Sequence, residues 1–131
     1  MPFRAVGFSA VLHIHDLAIR QHGGKAGIRD EGAIDAALQR PHSGFGDVEL
    51  FPDLFGKAAA LAHSIATTHP FVDGNKRTAL AVAITTLRFN GYELDTTGEE
   101  EEAAVMSLVL GGMSLDGFAQ WLREHSFALC E

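Results

Sequence analysis

The stretch GNKRTALAVAITTLRFNG, residues 74–91, constrains the fold more than any other part of the chain. From Ala79 to Leu87 apolar side chains recur on nearly every face of a 3.6-residue period, and the run closes near Asn90-Gly91, a common helix terminator. A helix that is apolar on nearly all sides has to be surrounded by other elements. It is therefore predicted to be central, with its N-terminal end held rigidly. A chain of 131 residues is close to the usual size of one domain and long enough to bury a core around such a helix. We expect a single domain over residues 1–131.

The flanking segments also read as helices, which makes the expected class all-α with six of them. Ser9 is placed to cap a first helix, with Val11, Leu12, Ile14, Leu17, Ala18 and Ile19 on its apolar face and Gly23-Gly24 ending it. Asp30 is placed to cap a second, EGAIDAALQR, which Pro41 terminates. The glycines of PHSGFGDVELF, and its extended-looking Asp47 to Phe51, predict a surface loop or short hairpin, a candidate flap around Gly44 to Leu50. A third helix is expected from Pro52, with Leu54, Ala58, Leu61, Ala62 and Ile65 at helical spacing. It must stop before Pro70, leaving His69 on a bend at its exit. The central helix follows as the fourth. Thr97 with Glu100 forms a capping box for a fifth helix through Leu110, and Ser114 is placed to cap a sixth carrying Leu115, Phe118, Ala119, Trp121 and Leu122. The acidic run Glu99 to Glu102 falls at a helix start, where the dipole favours it, and reads as solvated and stabilising.

Charge and composition narrow the function. A formal net charge of −7 sets up a field that repels nucleic acid and anionic membrane surfaces, so neither is an expected partner. No apolar run approaches the roughly 18–20 residues needed to span a bilayer, and MPFRAVGFSAVLHIHDL lacks the continuous apolar segment and cleavage site of a secretory signal. The single cysteine, Cys130, allows neither an internal disulfide nor a CxxC motif, which fits a reducing cytoplasm.

One stretch breaks a local rule. In HPFVDGNKRTAL, residues 69–80, Asp73 looks like a helix cap, yet Lys76 and Arg77 follow within the first turn. A helix N-terminus carries about half a positive elementary charge, so cations belong at the other end. An anion resolves the conflict. Free N–H groups at Gly74 and Asn75 would form a phosphate-type nest, glycine permits close approach, and the Lys76 and Arg77 cations suit a polyphosphate better than a lone carboxylate. Asp73 could bind Mg²⁺, which takes one or two carboxylates plus phosphate oxygens and water. His69 could take a proton from an attacking hydroxyl, since an unperturbed histidine, at about 6.5, is largely neutral in the cytoplasm. Phe71 reads as an anchor into the core. Each residue also has a plainer explanation: Asp73 as an ordinary cap, His69 as a helix-exit residue, Lys76 and Arg77 reaching towards Glu99 to Glu102. Their co-occurrence within nine residues favours a functional site.

Weaker signals read as structural. Gly23-Gly24-Lys25 lacks the strand and spacing of a P-loop and reads as a helix end. His13 and His15, two apart on a helix, point in different directions and make no zinc pair. His42, His63 and His125 have no ligand-like spacing.

His69, Pro70, Phe71, Asp73, Gly74, Asn75 and Arg77 match the Fic/Doc signature H-P-F-x-[D/E]-G-N-x-R without a gap. Gly23-Gly24, the stretch Ile28 to Gly32 and the six-helix layout resemble death-on-curing (Doc) toxins. The resemblance implies a single compact Fic/Doc domain with His69 as general base and Asp73 holding Mg²⁺. Gly74 and Asn75 would cradle the phosphates of ATP, and Lys76 and Arg77 would neutralise the transferred group. Lys76 stands where AMP-transferring relatives usually carry glycine for the α-phosphate. Doc-type members share the lysine, which implies transfer of the γ-phosphoryl group to a protein hydroxyl, with elongation factor Tu as the suggested target and a block of translation as the outcome. In this family the flap docks the target by strand addition. No inhibitory [S/T]-x-x-x-E-[G/N] helix occurs in the sequence, so control is expected from a separate antitoxin. AMP transfer, and a catalytically lapsed nucleotide- or antitoxin-binding module, are the alternatives.

Overall fold

The apolar run becomes α4 (Asn75–Phe89), with Thr78, Ala79, Val82, Ala83, Thr86 and Leu87 buried. The computed structural model describes residues 2–129. Along α4 lies α3 (Leu54–Thr68), almost continuously buried from Lys57 to Ala66. Its five alanines at 58, 59, 60, 62 and 66 have little side chain to keep neighbouring backbones apart. Against α4 also pack α1 (Phe8–His22) and α5 (Gly98–Leu110), while α2 (Glu31–Gln39) and α6 (Leu115–Glu124) pack against α3. One apolar cluster joins these helices, with Phe71, Phe118, Ile34, Ile65, Leu87 and Leu122 among its largest fully buried side chains. The all-α, six-helix expectation holds for the described residues. No described helix is long and apolar enough to cross a membrane.

Local capping explains most of the boundaries. Asp30 accepts the Ala33 N–H, Ser114 accepts the Gly117 N–H, and Thr97 and Glu100 exchange both bonds of a capping box. Other expectations need correction. The first helix begins at Phe8 with Gly7 at its cap, so Ser9 lies inside the first turn. In the third helix Asp53, not Pro52, sets the start: its side chain accepts the Gly56 N–H and also pairs with Arg123. Pro41 does not simply end the second helix but enters a 3₁₀ turn, Arg40–His42, a geometry that tolerates proline in its first positions.

The flap is a hairpin, β1 (Gly44–Phe45) and β2 (Val48–Glu49), with Phe45 81% and Val48 69% exposed. A second antiparallel pair, β3 (Tyr92–Leu94) with β4 (Ser126–Ala128) across the fifth and sixth helices, was not expected from the sequence. Strands of three residues are too short to impose a readable alternation. Cys130 lies outside the described residues.

Candidate active site

Two helix ends meet at residues 69–74, and a third segment holds them there. Pro70 stops α3 at Thr68, and His69 takes the left-handed conformation at φ 52, ψ 61. Among the described residues it is the only non-glycine with positive φ. The loop 24–30 lies alongside. The Pro70 carbonyl accepts the N–H groups of Arg29 and Asp30 at 2.8 and 2.9 Å, and Val72 donates to Gly27 at 3.0 Å. Arg29 then donates from Nε to the His69 carbonyl at 2.6 Å and from Nη2 to that of Thr68 at 2.5 Å. A guanidinium on the last carbonyls of α3 satisfies acceptors that have no intrahelical partner, and it complements the negative helix end. Phe71 is buried as expected, a change worth roughly 1.5–3 kcal/mol for such a side chain.

At the start of α4 the capping expectation is wrong by one residue. Gly74, not Asp73, occupies the cap, at φ 75, and no side chain caps the helix. An ordinary cap residue is extended, whereas Gly74 is left-handed and has no side chain to cap with, and the Asp73 carboxylate is engaged elsewhere. Asp73 Oδ1 accepts the Gly74 N–H at 2.9 Å, and Oδ2 accepts the Lys25 N–H at 3.2 Å. These two bonds, the one from Lys25 foremost, hold the Asp73 carboxyl below its usual range. Because the Gly74 N–H is taken, the open nest moves along the chain. The first backbone bond of α4 runs from Thr78 N–H to the Gly74 carbonyl at 3.0 Å, which leaves the N–H groups of Asn75, Lys76 and Arg77 unpaired among the described residues.

The Asn75 side chain faces backwards. Its Oδ1 accepts the Phe71 N–H and its Nδ2 donates to the Phe71 carbonyl, both at 2.9 Å. Asn75 thus fixes the loop with its amide and offers the cleft only its backbone. Lys76 and Arg77 are exposed and make no ion pair among the described residues; the four pairs there are Arg20–Asp16, Lys57–Glu49, Arg88–Glu93 and Arg123–Asp53. The acidic run of α5 therefore does not neutralise them.

These residues line a cleft of about 800 Å³ that follows α4 from Lys76 to Arg88, between α1 and α5. His69, Asp73, Gly74, Asn75, Lys76 and Arg77 share it with apolar walls from Ile14, Leu17, Leu80, Ile84, Val105 and Met106. Glu101 and Glu102 also line it, so the start of α5 contributes to the cleft as well as to helix stability, which the sequence reading missed. It missed His15 too. His13 is exposed and His15 buried, so they do point apart. But His15 Nε2 lies 2.8 Å from the Asp73 carbonyl, and its ring stacks on Phe71 with centroids 3.8 Å apart.

Among the described residues no three His, Cys, Asp or Glu side chains gather as a metal site. Asp73 supplies one carboxylate, held ionised by its backbone bonds and open to the cleft. That suits Mg²⁺, which draws its remaining ligands from phosphate and water, better than zinc, which needs several protein ligands.

A helical domain in which His-Pro-Phe-Val-Asp-Gly joins the third helix to the fourth, and Asn-Lys-Arg opens the fourth, is of the Fic/Doc class. Residues 6–87 match the family described as Fic/DOC, and the chain belongs to that family. It is 50% identical over 72 residues to Toxin Doc of Mycolicibacterium smegmatis (strain ATCC 700084 / mc(2)155), an alignment spanning 55% of each chain, about half the length of that relative. It is 32% identical over 120 residues to Protein kinase doc of Escherichia phage P1, covering 92% of this chain and 94% of that one.

Proposed function

We propose that the chain is the cytoplasmic toxin of a toxin–antitoxin pair, a Mg-ATP-dependent phosphotransferase that modifies a Ser or Thr hydroxyl on a host protein and so blocks translation. One observation carries this reading: a helix start with three N–H groups and two cations that have no partner among the described residues, beside an ionised carboxylate and an imidazole, in one cleft. That is a binding surface for a polyanion.

In the proposed reaction the hydroxyl oxygen of the target forms a bond to the γ-phosphorus of ATP. The bond from that phosphorus to the β–γ bridging oxygen breaks, and ADP departs. His69 accepts the hydroxyl proton, a role typically worth about 10²–10⁴-fold in rate. The N–H groups of Asn75, Lys76 and Arg77 hold phosphate oxygens, while the Lys76 ammonium and Arg77 guanidinium offset the charge on the group in transit. Asp73 would hold Mg²⁺, which supplies further neutralisation of the phosphates. The exposed β1–β2 hairpin would dock the target backbone by strand addition. An antitoxin segment would cross the cleft, and elongation factor Tu is the target the family resemblance suggests.

Lys76 favours phosphoryl over AMP transfer, because its side chain obstructs the α-phosphate seat that a glycine would leave open and offers a point charge to a terminal phosphate. The phage relative, Protein kinase doc, supports the same choice by its name. The test is to incubate the chain with elongation factor Tu and ATP labelled in either the α- or the γ-phosphate. Label transferred only from the γ position is expected. Label from the α position would establish AMP transfer instead, and growth inhibition that survives His69→Ala would point to a lapsed enzyme acting by binding.

A further inference from the structure

We propose that His15, on α1, is a positioning residue for the phosphate cradle: by donating from Nε2 to the Asp73 carbonyl it keeps the first N–H groups of α4 open. The inference deepens the reading of that helix end as a nucleotide site and rests on it. If α4 began one residue earlier, the Asp73 carbonyl would accept the Arg77 N–H four residues on. Instead Gly74 turns left-handed at φ 75, and the Asp73 carbonyl lies 2.8 Å from His15 Nε2. The acceptor is satisfied from outside the helix, and the Arg77 N–H keeps no partner among the described residues. Remove the outside donor and the carbonyl has every reason to turn back to the helix's own N–H groups, because an unpaired polar group at a partly buried site is costly.

The ring is held firmly enough to set this geometry. His15 is 6% exposed, and its plane lies 6° from that of Phe71 at a centroid distance of 3.8 Å. Its Cδ2 and Nε2 stand 3.8 Å from the place a Cβ on Gly74 would occupy. Phe71, Asp73 and Gly74 are therefore all referenced to one side chain on α1. A carbonyl partner also fixes the tautomer, since Nε2 must carry the hydrogen.

Two variants test it. His15→Phe keeps a ring to stack on Phe71 and has no donor, while His15→Gln restores an N–H at similar reach without the ring. Mg-ATP binding is measured by calorimetry, alongside KM for ATP and for the protein target. The phenylalanine variant is expected to bind Mg-ATP about 10-fold more weakly, the equivalent of one net hydrogen bond, with KM for the target unchanged, and the glutamine variant to recover most of the loss. Wild-type affinity in the phenylalanine variant overturns the proposal, as does a glutamine variant equally defective, which would reduce His15 to packing. Failure of the nucleotide reading itself looks different, because the parent protein would then take up no Mg-ATP. In that event the amide resonances of Asn75 to Arg77 in unliganded protein decide: shifts in the phenylalanine variant that revert in the glutamine variant support positioning, and unshifted resonances overturn it.

Discussion

Arg77 stands in the first turn of α4, where its charge opposes the helix dipole and it forms no ion pair among the described residues. Replacing it should therefore separate function from stability. Arg77→Ala is expected to lower transfer by at least about 10²-fold, as losing an electrostatic donor at a reacting group typically does, while the melting temperature stays level or rises slightly. A clear fall in melting temperature would assign Arg77 to the fold. Asp73 offers a second test through its titration. Its carboxyl is held below the ordinary 3.8 by N–H bonds from Lys25 and Gly74. A carboxylate depressed in the folded state contributes stability that is fully present above its unfolded value and is lost as pH falls through the lower folded value. Carbon NMR should place the Asp73 midpoint below 3.8, with its ionised form persisting as the unpaired carboxylates protonate. A midpoint at or above that value would mean the two bonds do not hold in solution.

At the scale of elements, the loop between α1 and α2 works as a brace for the motif. A Cβ on Gly24, whose φ is +118, would stand 2.7 Å from Asp73 Oδ2, whereas a Cβ on Gly23 meets nothing within 4 Å although its φ is +80. Both Gly23→Ala and Gly24→Ala should lose stability, roughly 1–3 kcal/mol each for a strained backbone. Only Gly24→Ala should also displace Asp73 and weaken phosphate-dependent activity, and equal activity in the two would contradict the brace. These contacts also show what the sequence could reveal. Asp30, Thr97 with Glu100, and Ser114 were legible because a cap bonds within three residues of itself. Lys76 and Arg77 were legible as a broken dipole rule. Asp73 was misplaced because the same local rules cannot see Gly74 turn left-handed. His15 reaches Asp73 across 58 residues and Arg29 reaches His69 across 40, and no local periodicity encodes such pairs. The Glu101 and Glu102 wall was hidden for the same reason: α5 meets α4 only in the packed fold.

Across the whole molecule, the flap is tied to the core by one buried cation. Lys57, 5% exposed on α3, donates to Glu49 Oε1 on β2 at 3.0 Å and to the Phe51 carbonyl, with its ammonium 5.8 Å from the Phe3 ring centre. Lys57→Met keeps an apolar stem of similar length and releases both bonds, leaving Glu49 half-exposed to find water. Amide exchange in residues 44–49 should quicken, and KM for the protein target should rise several-fold while affinity for Mg-ATP is unchanged. An unaltered KM would show that the hairpin's attachment does not bear on target docking. The reach from His15 to Asp73 has a consequence of its own at this scale. Because the bond joins α1 to a loop 58 residues later, a fragment that begins after α1 carries the motif without the side chain that meets the Asp73 carbonyl. On the ribosome, that tie would form only when the leading helix meets the loop made long after it.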